Sequence, residues 1–154
     1  MQAIDGDGRA FEQRLAIREL VDRYCDAVNR RDAAAWLDTW AEEPSWELFG
    51  RPMHGRHAIA TAFENALGML RLVVQTAANG VLELDGERAR GRWLISEWSE
   101  SDALGRLLLH FVYHDEYARG ADGWRFLSRR MELLYQGPPD LSGRSFPPGA
   151  GAGR

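Results

Sequence analysis

The segment RWLISEWSE, Arg92 to Glu100, sets a carboxylate where proton chemistry can use it. Side chains in a strand alternate between faces, so Trp93, Ile95 and Glu97 share one face while Leu94, Ser96 and Trp98 share the other. A glutamate that follows a tryptophan and an isoleucine is either a charge at the strand's exit to solvent or a base in an apolar pocket. In the pocket, burial would raise its pKa toward a useful range. Tyr24 poses a parallel question, because its phenol lies within an apolar helical stripe. There it must find a hydrogen-bond partner, and beside a pocket it could orient a substrate oxygen or act as a weak acid. Asn29 lies one turn beyond Cys25, at the edge of the same stripe.

Other chemistries fit the chain poorly. His110 and His114 share a strand face four residues apart, which separates them by roughly 13 Å, too far to chelate one ion. His54 and His57 flank a glycine turn with no third ligand in evidence, so no metal or other cofactor is expected. All 19 basic residues are arginine, which removes lysine Schiff-base chemistry and the lysine of a phosphate-binding loop. No G-x-G-x-x-G segment opens a helix after a strand. A net charge of -4 and a pI near 5.6 argue against nucleic acid or an anionic membrane as partner. One cysteine, Cys25, rules out an internal disulfide. The polar N-terminus and the lack of a long apolar run lead us to expect a cytoplasmic protein.

The elements that must position these residues follow from periodicity. With 154 residues, 45% of them hydrophobic, the chain suits one domain with a real core. Ile17, Leu20, Val21, Tyr24 and Val28 recur at helical spacing and predict a helix over 11–31. Asp32 reads as the N-cap of a second helix through AAAWLDTWAE, with Trp36 and Trp40 one turn apart and Pro44 ending it. SWELF reads as a short strand, RPMHGR as a turn, and HAIATAFENALGML as a third helix burying Ile59, Phe63, Leu67 and Leu70. The period then changes to two. Four long runs, LRLVVQTA continuing to VLEL, ERARGRWLISEWS, RLLLHFVYHDEYAR and GWRFLSRRMELLYQ, are separated by turn chemistry and predict an antiparallel meander. Residues 1–10 are expected to form a flexible N-terminus, 11–136 a single α+β domain, and 137–154 a Gly/Pro-rich tail.

This order of elements, with AIRELVDRYCDAVNRRD at 16–32, WELFG at 46–50 followed by HGRHAI, and YHDEYARGADGWRFLSRR at 113–130, resembles the SnoaL-like branch of the nuclear transport factor 2-like superfamily. The resemblance implies a conical barrel, with three N-terminal helices packed on a strongly curved antiparallel sheet around a pocket, and a homodimer or higher homo-oligomer formed through the outer sheet face. It turns Tyr24, Trp46, Trp93, Ile95, Glu97, Tyr113 and Arg129 inward and leaves His110 and His114 outside. Dehydrochlorinase-like members use an aspartate late in helix one and a histidine on the following strand as a base dyad, with an arginine on the last strand. The matching positions here are Asn29, Gln75 or the adjacent Thr76, and Arg129, so the dyad is missing. Glu97 is then the expected base, unless Arg129 pairs with it and lowers its pKa. Tyr24 and Tyr113 would hold or protonate an oxygen, and Arg129 would stabilise negative charge. Asn29, Trp46, Gln75, Trp93 and Ile95 would contact a small aromatic or polycyclic ligand. The implied activity is that of a cofactor-independent lyase or isomerase, with a non-catalytic binding protein as the alternative.

Overall fold

The computed structural model describes residues 2–149, with side chains from Gly8 onward. Met1 and residues 150–154 of the expected tail lie outside the described residues. Three helices, α1 (Gln2–Arg30), α2 (Ala33–Asp38) and α3 (Arg56–Met69), pack on one curved, unclosed sheet. Its strands are β1 (Trp40–Leu48), β2 (Arg51–His54), β3 (Leu70–Asp85), β4 (Arg88–Ser101), β5 (Gly105–Gly120), β6 (Gly123–Gly137) and the short β7 (Arg144–Ser145). The order across the sheet is β2-β1-β6-β5-β4-β3, with β7 paired to β6. The α+β class and three-helix arrangement match expectation. The sheet is not wholly antiparallel, because β1 runs parallel to β6.

Local chemistry explains where boundaries depart from the periodicity. α1 starts nine residues before Phe11, in a stretch that hydrophobic spacing cannot register because none of residues 8–12 is buried. Asp32 does cap α2, accepting from the Ala35 amide at 2.9 Å. The helix then ends six residues later, at Asp38. Thr39 Oγ1 donates to the Trp36 carbonyl at 2.6 Å, and the Thr39 carbonyl accepts from Phe126 N, which hands the chain to the sheet. Trp40 therefore starts β1 instead of continuing a helix, and Pro44 sits inside that strand rather than stopping α2. RPMH is also a strand, not a turn, since β2 pairs with β1 through a two-residue hairpin. Leu70 opens β3 and is only half-buried.

α1 covers the open edge of the sheet. β3 is the terminal strand, and its unpaired backbone groups would invite pairing with another chain. Asn29 satisfies two of them at once: its Nδ2 donates to the Gln75 carbonyl at 2.9 Å, and its Oδ1 accepts from Gln75 N at 2.6 Å. Arg14 and Arg18 donate to the carbonyls of Leu82 and Ala77. β3 is bent midway by an irregularity between Ala78 and Val81 that carries Asn79 at φ 51. There Gly80 lets the Trp93 ring lie against the backbone, since a Cβ would come within 2.0 Å of it.

The centre of the molecule is a buried ion pair in an aromatic box. Arg129 Nε and Nη2 donate to Asp115 Oδ1 and Oδ2 at 2.8 and 3.0 Å, and both side chains are 0% exposed. The guanidinium lies 4.0 Å from the ring centroids of Tyr113 and Phe126 and 4.3 Å from that of Tyr24. Asp115 also accepts from Tyr117, which in turn accepts from Trp93 Nε1. Burial pushes the Asp115 carboxyl up, and the hydrogen-bonded guanidinium pulls it back in part. Burial likewise opposes the Arg129 charge, but Asp115 more than offsets this and holds the guanidinium protonated.

Two stability predictions follow from these contacts. Arg129→Met strands the Asp115 charge and should cost about 3–5 kcal/mol in urea unfolding, while the double replacement Arg129→Met with Asp115→Leu should recover much of that loss. Asn29→Asp removes the donor facing the Gln75 carbonyl and sets two oxygens against each other. A loss of about 1 kcal/mol by thermal unfolding is expected, modest because Asn29 is exposed.

Candidate functional site

Between the helices and the concave face of the sheet lies a cavity of about 150 Å³. Tyr24 reaches it from α1, Trp46 from β1, Gln75 from β3, Glu97 from β4 and Tyr113 from β5, with Phe63 and Leu67 of α3 and Met131 of β6 completing an apolar wall. Inward alternation along each strand brings these positions together, as the faces of the sequence imply. Two larger hollows, near 490 and 480 Å³, are open grooves on the outer sheet face. Their charged walls, such as Arg90 and Glu116 at 3.7 Å, face solvent and leave the apolar cavity between helices and sheet as the better site for a small apolar ligand.

At one end of the cavity, Glu97 and Gln75 are cross-strand partners. Gln75 turns its backbone toward Asn29 and its side chain toward Glu97. Its Oε1 accepts from the Cys25 thiol at 3.7 Å, and its Nε2 donates to Glu97 Oε2 at 2.8 Å. Burial pushes the Cys25 thiol up to about 11, so it stays protonated and serves as a donor, which fixes the amide orientation. Burial raises the Glu97 pKa, and the Gln75 hydrogen bond opposes the rise. Glu97 Oε1 makes no hydrogen bond among the described residues.

Farther along the sheet, the Tyr24 and Tyr113 hydroxyls lie 3.5 Å apart, and Trp46 Nε1 donates to Tyr113 at 3.1 Å. Burial pushes Tyr24 up to about 12 and Tyr113 well above the ordinary phenol value, with Arg129 opposing both shifts. Both are therefore neutral donors at physiological pH. With Tyr24 as donor between them, Tyr113 accepts from two groups and its own proton is free for a ligand in the cavity. Glu97 pairs with Leu109 and Tyr113 with Trp93, so their backbones are four residues apart along the strands, roughly 13 Å. The carboxylate and the phenols thus come from separate positions along the wall of the same cavity.

Four of the expected site residues do not line the cavity. Asn29 is committed to the β3 backbone. Trp93 is buried but faces Arg18 and Tyr117, and Ile95 is wholly enclosed in the core. Arg129 pairs with Asp115, not with Glu97, so its effect on the cavity passes through the faces of Tyr24 and Tyr113. The Asp115 and Tyr117 contributions were missed, although both share a strand face with Tyr113 and alternation could have flagged them. His110 and His114 are half-buried and bond to Ser96 and Glu132. Among the described residues, no three His, Cys, Asp or Glu side chains converge as a metal site would require. Nor, among them, is any helix long and apolar enough to cross a membrane.

Comparison with known proteins agrees with this architecture. Residues 9–130 match the SnoaL-like domain. Among solved structures, a candidate aromatic ring hydroxylase from Novosphingobium aromaticivorans is 26% identical, with a TM-score of 0.77 over 87% of this chain and 94% of that one. A scytalone dehydratase-like protein from the same organism is 16% identical, with a TM-score of 0.78 over 91% and 94%. The hexachlorocyclohexane dehydrochlorinase of Novosphingobium barchaimii is 21% identical, with a TM-score of 0.77 over 92% and 99%. The sequence matches no curated protein. Helices closing over a curved sheet, an interior cavity and a family match across most of the sequence lead to one assignment: the chain belongs to the SnoaL-like domain family of the nuclear transport factor 2-like superfamily.

Proposed function

We propose that the protein is a cofactor-independent lyase or isomerase acting on a small cyclic, oxygen-bearing molecule, with Glu97 as the base. The observation that carries this reading is the state of Glu97. It stands on the wall of an aromatic cavity, with a raised pKa, one oxygen held by Gln75 and the other without a partner among the described residues. Its Oε1 takes a proton from substrate carbon. Tyr113, backed by Trp46 and Tyr24, either donates a hydrogen bond to the oxyanion that forms or gives its proton to a departing hydroxyl. In the first case Glu97 returns the proton to a different carbon and the product is an isomer; in the second the C–O bond breaks, water leaves, and the proton on Glu97 passes back to Tyr113 through solvent, restoring both groups. Structural neighbours named as a dehydratase and a dehydrochlorinase lend support by analogy of fold only. A cavity of about 150 Å³ favours a single-ring substrate over the polycyclic one the sequence also allowed. A homo-oligomer belongs to the same reading, supported by exposed Leu72, Val74 and Trp98 on the sheet.

The resemblance also favours a second reading, a non-catalytic binding protein. It matches Asn29, and Gln75 or the adjacent Thr76, to the base dyad of dehydrochlorinase-like members, and none of these side chains takes up a proton at neutral pH.

Glu97→Gln separates the two readings. Against a panel of hydroxylated single-ring aromatics and cyclic enones, the variant should lose about 10²–10⁴-fold in turnover. Wild-type turnover should fall with decreasing pH through a pKa above the ordinary carboxylate value of 4.5. Stability should move the other way. A carboxyl whose folded pKa is raised contributes most below its unfolded pKa and loses that contribution as pH rises. Glu97→Gln should therefore be more stable than wild type at neutral pH, with the difference vanishing below about pH 4. Turnover undiminished by the substitution places the chemistry elsewhere, and binding without turnover across the panel favours the binding protein.

A further inference from the structure

The hairpin between β1 and β2 contains a residue that its backbone disfavours. Leu48 pairs with Arg51, leaving a two-residue turn in which Phe49 and Gly50 have φ of 51 and 74. Positive φ at both central residues is the signature of a type I′ turn, for which Asn-Gly is the preferred dipeptide. Gly50 suits it. A bulky aromatic at the first position does not, because its Cβ crowds the backbone in the left-handed region. Nor does the ring earn its place as core, since Phe49 is 56% exposed. It nevertheless lines the interior cavity, alongside Leu48, Ala66, Leu67 and Leu70. A side chain that is both on the cavity wall and half in solvent stands at the mouth.

We infer that Phe49 is the gate of the cavity: the strained turn holds its ring across the entrance and sets the rate at which single-ring ligands enter and leave. The volume behind it agrees, since an apolar cavity of about 150 Å³ accommodates benzene. Bound backbone strain of this kind persists where the surroundings fix it and collects at ligand clamps. The inference rests on the reading of this cavity as the ligand site, but not on Glu97 performing chemistry.

The test is therefore made with hydrocarbons that offer neither an acidic proton nor an oxygen. Benzene and naphthalene exchange is followed by NMR in wild type and in Phe49→Asn, which supplies the turn's preferred residue and so should fold. Benzene should enter and leave the variant an order of magnitude faster than wild type, while naphthalene, too large for the volume behind the gate, should bind neither. The thermal midpoint should hold or rise. Equal exchange rates in the two proteins, or no benzene in either cavity, overturns the gate. So does a clear fall in midpoint, which would make the ring a packing residue, or a change in oligomeric state, which would make it an interface residue. If the gate holds while Glu97→Gln leaves turnover intact, only the catalytic reading fails.

Discussion

The salt bridge between Asp115 and Arg129 is the constraint around which the rest of this molecule is arranged. Two opposite charges wholly removed from water are tolerable only when every strong donor and acceptor is engaged and the surroundings are fixed. The bidentate geometry, the Tyr117 hydroxyl on the carboxylate and three aromatic faces on the guanidinium meet much of that demand. Arg129 Nη1 has no hydrogen-bond partner among the described residues, and its compensation is electrostatic, from ring faces. Because two of those rings are Tyr24 and Tyr113, the pair also locks the phenols that border the cavity. The pair thus shapes the candidate site without touching a ligand.

A second constraint is the exposed edge of β3. In this chain, α1 covers the edge, and Asn29 binds both backbone groups of Gln75 as a neighbouring strand would. With its main chain held there, Gln75 presents its side chain to Glu97, the residue across the sheet. The polar end of the cavity therefore lies at the β3–β4 pair of Gln75 and Glu97 and not at the contact between α1 and β3. Cys25, Gln75 and Glu97 form a short chain of hydrogen bonds in which the thiol stays protonated and burial raises the pKa of the carboxylate.

Much of the fold was legible because its signals are local. Ile17, Leu20, Val21, Tyr24 and Val28 form the buried stripe of α1, Asp32 caps α2, and Trp93, Ile95 and Glu97 share an inward face. Residues whose state depends on distant partners misled. Trp40 and Pro44 read as the end of a helix, yet Thr39 turns the chain into a sheet where β1 meets β6, a strand more than eighty residues away. Trp36 stacks on Phe63 of α3, with centroids 4.0 Å apart, and meets Trp40 only edge-on.

The sequence by itself determined the α+β class, the three helices and the inward faces of β4 and β5, since each depends on chemistry repeated over a few neighbouring residues. Tertiary structure decided which partner each buried charge takes. Continued unbroken from the turn at Ala121 and Asp122, the β5–β6 register would set Asp115 opposite Ser128. An irregularity at Leu127 shifts it by one residue, pairs Asp115 with Arg129 and turns Arg129 to the same face as Phe126. A one-residue bulge leaves no periodic mark, and its energy is repaid only by the packing of side chains remote in sequence. That is why Glu97 could be singled out from nine residues, whereas the freedom of its carboxylate from Arg129 could be read only from the folded chain.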